Sequence, residues 1–162
     1  MEPIRYLDII NQRYQEKGYP AYDWSKHENA PMTILSKPLS ECTVSLLTSG
    51  GISHQSREPF DPIAKNNFRL DEIDSLSKGS EFEVNDDYYD TRDAKRDLNV
   101  VFPLERLQEL ARDGFIGAVA SRIWSGFMGR IYKRDYVIKE AAPRLAEELR
   151  KDGVDVFVLV PA

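Results

Sequence analysis

Thr48, Ser49, Gly50 and Gly51 stand together at the end of an apolar run, residues 44–52, which read VSLLTSGGI. A residue without Cβ lets another group come close to the chain, so small hydroxyl and glycine residues in one turn can present backbone N–H groups to a ligand. The same glycines also serve plain chain reversal, and the turn by itself leaves both uses open. A second stretch, Arg122-Ile123-Trp124-Ser125-Gly126-Phe127-Met128-Gly129, resembles it in kind. Ser125 and Gly126 are its candidate contact residues, and the alternative is that Trp124, Phe127 and Met128 cap the core. A third stretch, Asp86-Asp87-Tyr88-Tyr89-Asp90, combines acceptors with two phenols. Its plain alternative is a solvated acidic surface.

These groups need elements to hold them. VSLLT reads as a buried strand breaking into the polar turn. In open α/β sheets ligands bind beyond the carboxyl ends of the strands, so the working surface is expected at that turn. A helix is predicted over residues 3–16, with Pro3 in its first turn, Ile4, Leu7, Ile10 and Tyr14 on one packing face, and a stop at Gly18-Tyr19-Pro20. Residues 21–40, with Tyr22, Trp24, Pro31 and Pro38, read as an extended arm wrapping the domain. Residues 53–98 form a long polar insertion, too long for a passive connection, in which Phe82 and Val84 alternate with charge as a short exposed strand.

Residues 99–102 read as a second strand, followed by a helix that opens at Pro103, carries Leu104, Leu107, Leu110 and Ala111, and ends at Gly114. Residues 118–121 are a candidate third strand. A helix over 135–152 places Val137, Ala141, Leu145 and Leu149 on one face; Pro143 within it requires a kink or a restart. Residues 154–160 have the continuous apolar character of a strand buried on both faces. Strands alternating with helices imply right-handed crossovers and a parallel sheet. The expectation is one α/β domain over residues 1–162: an open, mainly parallel, Rossmann-like sheet with flanking helices, incomplete at its carboxyl end because no helix follows the last strand.

Composition excludes several classes. The chain has 162 residues, 41% apolar and 30% charged, which suits one soluble domain. No apolar run approaches the ~20 residues of a membrane span. The N-terminus, MEPIRYLDII, lacks the apolar core of a secretory signal, so a cytoplasmic location without membrane association is expected. A net charge of −5 offers no basic excess to neutralise a phosphate backbone, which argues against nucleic acid as a partner. Cys42 is the single cysteine, and with only His27 and His54 beside it no disulfide and no familiar zinc site follows. It reads as a small, semi-buried apolar residue beside the first strand.

Four stretches then carry a resemblance: KPLSECTVSLLTSGGI, DDYYDTRDAKRDLNVVFPLERLQELARDGFIG, the SGFMG turn and DGVDVFVLVPA. Together they resemble the selenoprotein B family of the glycine, sarcosine, betaine and D-proline reductases, in particular its D-proline reductase-like branch. The resemblance implies dithiol-dependent reductive cleavage of a C–N bond in an amino acid or related amine, within an assembly of other reductase subunits. Family members continue from the strand resembling VFVLVPA into a loop holding selenocysteine or cysteine. That redox residue is expected after Ala162, for instance at a UGA codon, and Cys42 does not match it.

On this reading Thr48, Ser49, Gly50 and Gly51 contact an anion or the substrate. His54 could move a proton to the leaving nitrogen, since an imidazole with an ordinary pKa of about 6.5 can give or take one near neutrality. Asp87, Tyr88 and Asp90 could face a cationic amine. No metal is expected. The competing reading is a non-catalytic interaction subunit whose open sheet face docks a partner or a second copy. A hydrolase using Ser49 or Ser125 with His54 is weaker, because no G-x-S-x-G elbow is present.

Overall fold

A computed structural model describes residues 5–21, 28–29 and 31–162. They fall into two units, residues 1–34 and 35–162. In the first, helix α1 spans Tyr6–Glu16, with Asp8 in its first turn and Arg13 in its last, a polarity that suits the helix dipole. It ends at Gly18, whose φ of 79° closes the terminus as a left-handed residue. The helix buries none of its residues within this unit. Pro3, Ile4, Tyr22 and Trp24 lie outside the described residues, and Met32 and Ile34 of the expected arm are exposed.

The second unit runs β1 (Thr43–Thr48), β2 (Ile52–His54), β3 (Leu70–Asp74), β4 (Phe82–Val84), α2 (Arg92–Arg96), α3 (Leu104–Arg112), β5 (Ala118–Val119), β6 (Arg122–Gly126), α4 (Arg134–Tyr136), α5 (Ala142–Lys151) and β7 (Val156–Val160). β1 lies at the centre, and all but the first of its residues are buried, including the polar Ser45 and Thr48. β7 pairs with it in parallel from Val44↔Val156 to Thr48↔Val160. On its other side β5 pairs at Thr43 and Val44, and β6 at Leu47 and Thr48, again in parallel. The three-residue step from Val44 to Leu47 faces a five-residue step from Val119 to Trp124, so Ala120 and Ser121 form a bulge. The Ser45 hydroxyl reaches across it and donates to the carbonyl of Arg122 at 3.0 Å.

β3 closes the sheet antiparallel to β6, from Leu70↔Gly126 to Asp74↔Arg122. The sheet is therefore open, mixed and mostly parallel, as the alternation of strands and helices implies. β2 and β4 form a separate antiparallel pair. Because strand side chains alternate, Val44 and Leu46 enter one core with Leu104 and Leu107 of α3, while Leu47 enters another with Trp124 and Leu145 of α5. Helices thus flank both faces. Among the described residues no helix is long and apolar enough to cross a membrane.

Several expectations change. Residues 99–102 are not a strand: Leu98–Val100 is a 3₁₀ turn, and Val101 and Phe102 are buried beyond it as core. The third strand does not stop at 121 but resumes as β6 after the bulge, so Trp124, Ser125 and Gly126 belong to a strand. Residues 53–98 carry β3, the expected β4, and α2. The helix expected over 135–152 runs without a break from Arg134 to Lys151, its backbone angles helical at Tyr136, Ala141 and Ala142, and the turn before Pro143, Val137–Ala141, is π-helical, so the chain accommodates the proline without restarting. β7 is shorter than expected and none of its residues is fully buried, with Leu159 62% exposed, so it behaves as an edge strand. Cys42 is fully buried, its thiol donating to the carbonyl of Pro38 at 3.4 Å.

Candidate functional site

The carboxyl ends of β1, β6 and β7 share one edge, because Thr48 pairs with Ser125 on one side and with Val160 on the other. The turn at residues 48–51 sits on this edge. Thr48 is fully buried and its Oγ1 accepts from the Gly50 N–H at 3.0 Å. Ser49 N–H donates to the carbonyl of Val160 at 3.1 Å, and Ala162 N–H donates to Ser49 Oγ at 3.1 Å. Two of the turn's amides are therefore engaged within the protein. The turn grips the chain leaving β7.

From the other side the turn is held by residues 85–89. Tyr89 OH donates to the Gly50 carbonyl at 3.0 Å, and Asn85 N–H donates to the Gly51 carbonyl at 2.9 Å. Gly51 has φ +67°, and a Cβ on it would lie 2.4 Å from the carbonyl oxygen of Asn85. Chain reversal with close backbone packing accounts for that glycine. Asp86, only 4% exposed, packs against Gly51, and its Oδ1 accepts from Tyr88 N–H at 2.7 Å. Its Oδ2 and the Nδ2 of Asn85 are buried without partners among the described residues. Burial pushes the Asp86 carboxyl above its ordinary range, with the charge of Asp87 adding and the Tyr88 amide opposing. Burial, with Asp86 next, pushes the Tyr89 phenol up to about 12.

The shift of Asp86 fixes the sign of a pH effect. A carboxyl whose folded pKa is raised favours the fold fully below its unfolded pKa, and that contribution is lost as pH rises through the folded value. Asp86→Asn keeps the oxygen that accepts from Tyr88 and removes the ionisation. The variant should unfold at a higher temperature than the parent at pH 7, with the gap closing toward pH 4. Thermal melts across that range test it; a variant less stable at pH 7 would show that the charged form is the one the site stabilises.

The other expected residues scatter. Ser125 is fully buried and its hydroxyl donates to the Ile52 carbonyl at 2.6 Å, tying β6 to β2. Gly126 lies against Arg69, where a Cβ would sit 2.4 Å from its carbonyl oxygen. Tyr88 OH donates to the Ile63 carbonyl at 2.7 Å, and the Arg130 guanidinium lies 4.9 Å from its ring centre. Asp90 pairs with Arg92, which lowers its pKa, and Asp87 is exposed. His54 pairs with Phe82 in the small sheet, its ring edge-on at 5.3 Å. Its Nδ1 accepts from Ser56 N–H at 3.1 Å, and no hydrogen bond links it to residues 48–51. The structure brings together Thr48, Ser49, Gly50 and Ser125, and adds Asn85, Asp86 and Tyr89, which the sequence reading passed over. For Asp86 and Tyr89 the signal was membership of the acidic, phenolic stretch, and Asn85 stands directly before it. No group of three or more metal-ligating side chains occurs among the described residues.

The architecture defines an α/β protein whose polar turns gather at the carboxyl edge of a mostly parallel sheet. The chain belongs to the glycine/sarcosine/betaine reductase selenoprotein B family, whose profile matches residues 4–162. It is 32% identical over 127 residues to D-proline reductase subunit gamma of Acetoanaerobium sticklandii, covering 78% of this chain and 51% of that relative. It is 27% identical over 117 residues to the sarcosine reductase complex component B subunit beta of Peptoclostridium acidaminophilum, covering 70% of this chain and 27% of that one. The chain thus spans about half the first relative and about a quarter of the second. No solved structure matches it.

Proposed function

We propose that this chain supplies the sheet edge on which a dithiol-dependent reductase cleaves the C–N bond of a small amino acid or amine. In that reaction the C–N bond breaks, the nitrogen leaves with a proton, the carbon gains hydrogen, and the dithiol donates two electrons and is oxidised to a disulfide. The observation that carries the reading is family membership over nearly the whole chain. The sulfur or selenium nucleophile is assigned outside these 162 residues, since Cys42 is fully buried and hydrogen-bonded to backbone. The grip of Ser49 on Val160 and Ala162 favours a redox residue that follows β7. Other reductase subunits are the expected partners, as the relatives are named as subunits.

The test is turnover. The 162-residue chain, given dithiothreitol and D-proline, sarcosine, betaine or glycine, should form no cleaved product by mass spectrometry. The full reading frame, assembled with its other subunits, should form it. Turnover by the short chain that survives Cys42→Ser would remove the redox assignment. The exposed Leu159 on the half-covered β7 favours the second reading, an interaction subunit; absence of turnover by the assembled full-length protein, with the complex intact, would select it.

A further inference from the structure

On the α5 face of the sheet, beside the carboxyl end of β6, lies a groove of about 450 Å³ lined by Phe68, Trp124, Phe127, Tyr136, Arg144 and Glu147. That volume falls in the range of small-molecule sites, roughly 300–1,000 Å³. Four aromatic rings line it, and those of Phe68 and Tyr136 lie 4.4 Å apart between centres. Two backbone irregularities border it. Phe127 has φ +55°, unusual for a bulky residue, and Val137–Ala141 is π-helical, a form that recurs at functional sites.

Trp124 is 2% exposed and lines the groove, and its Nε1–H is buried with no acceptor among the described residues. An unpaired buried donor is unfavourable, and an arriving acceptor or a small shift of the ring toward one would relieve it. The rim carries opposite charges. Among the described residues Arg144 forms no ion pair, and Glu147 feels Lys151 only at a distance. Glu72 and Glu148 also line the groove but are already joined to Arg122. Arg144 and Glu147, three apart on α5, are neighbours on one helix face.

We propose that this groove binds a small zwitterion with an apolar body, its carboxylate toward Arg144, its ammonium toward Glu147 and its carbon skeleton on the aromatic wall. Its role as the substrate's site rests on the reductase reading; the binding itself does not. The turn at residues 48–51 is the poorer place for the carboxylate, since the amides of Ser49 and Gly50 are engaged within the protein. An aromatic wall favours a ring over a bare α-carbon, so a cyclic secondary amine such as proline should bind better than glycine.

Equilibrium dialysis of the full-length protein without reductant, against labelled D-proline and labelled glycine, tests this. D-proline should bind saturably and more tightly than glycine, and Arg144→Ala and Glu147→Ala should each weaken it about tenfold or more, the size of a lost charge-assisted bond. Both residues are exposed, so folding should survive each change, with melting temperature as the check. Absence of saturable binding, or binding indifferent to both substitutions, overturns the groove assignment and leaves the turnover test untouched. Binding that follows the predicted pattern in a protein without turnover sinks the reductase reading and keeps the groove.

Discussion

Gly51→Ala should lower the unfolding midpoint by about 10 °C. Two costs add at this position. A non-glycine residue in the left-handed region costs about 1–2 kcal/mol, and φ is +67° here. The added methyl would meet the Asn85 carbonyl oxygen at 2.4 Å, its carbon at 2.9 Å and the Asp86 Cβ at 3.0 Å. Two of those atoms are backbone, so relief requires moving the segment that donates to Gly51. Forced overpacking of this kind costs about 1–3 kcal/mol. In a chain of this size each kcal/mol shifts the midpoint by about 2–4 °C. Gly114 is the control: its φ is +77°, but nothing lies within 4 Å of a Cβ there. Gly114→Ala should show the conformational cost alone, and equal melts for the two variants would mean that residues 85–86 do not press on the turn.

The difference between those two glycines was not readable from sequence, although both positions were. β1 and its turn were legible because a continuous apolar run followed by Gly-Gly has few other readings. The helix from Pro103 and its stop at Gly114 were legible for a similar reason. β6 was missed because the bulge at Ala120 and Ser121 breaks its alternation and because Arg122 opens it. β3 was missed because LDEID carries three carboxylates. Asp71 can be buried there only because Arg69 grips it through Nε at 2.9 Å and Nη2 at 2.6 Å, with Arg57 at 3.6 Å.

The acidic insertion misled for a related reason. Asp61, Asn67, Asp74, Asp86, Asp90 and Asp97 each accept a hydrogen bond from the backbone N–H two residues on. Carboxylates that looked available for a ligand are closing local turns. Which of the neighbours Asp86 and Asp87 faces inward depends on the register of β4 against β2, and that pairing spans a gap in sequence that no local pattern measures. The groove on the α5 face was illegible in the same way, since Phe68 lies in the loop before β3, Trp124 in β6 and Arg144 in α5.

Arg122→Met should cost about 2–3 kcal/mol, or about 5–10 °C in midpoint, because one guanidinium joins three elements. It donates to Asp152 through Nε at 2.8 Å and Nη2 at 2.9 Å, to Glu148 at 2.8 Å, and lies 3.3 Å from Glu72. Glu72 belongs to β3, Glu148 to α5 and Asp152 to the end of α5, so the contact holds the sheet edge to its covering helix. Its charged carbon lies 5.2 Å from the Trp124 ring centre. A wholly buried cation lost from such a cluster would cost about 3–5 kcal/mol. Its side chain is 26% exposed, so solvent takes part of that. The effect should depend on pH with a definite sign. Glu148 is held below its ordinary value of 4.5 by Lys151 first and Arg122 second. A depressed carboxylate pKa adds stability above the unfolded value that is lost as pH falls through the folded one. The gap between parent and variant should therefore narrow as pH falls below about 4.5. Melts of both proteins at pH 7 and pH 3 measure it: a gap unchanged by pH would mean that Arg122 acts through its stem against Trp124, and that the carboxylates around it contribute little.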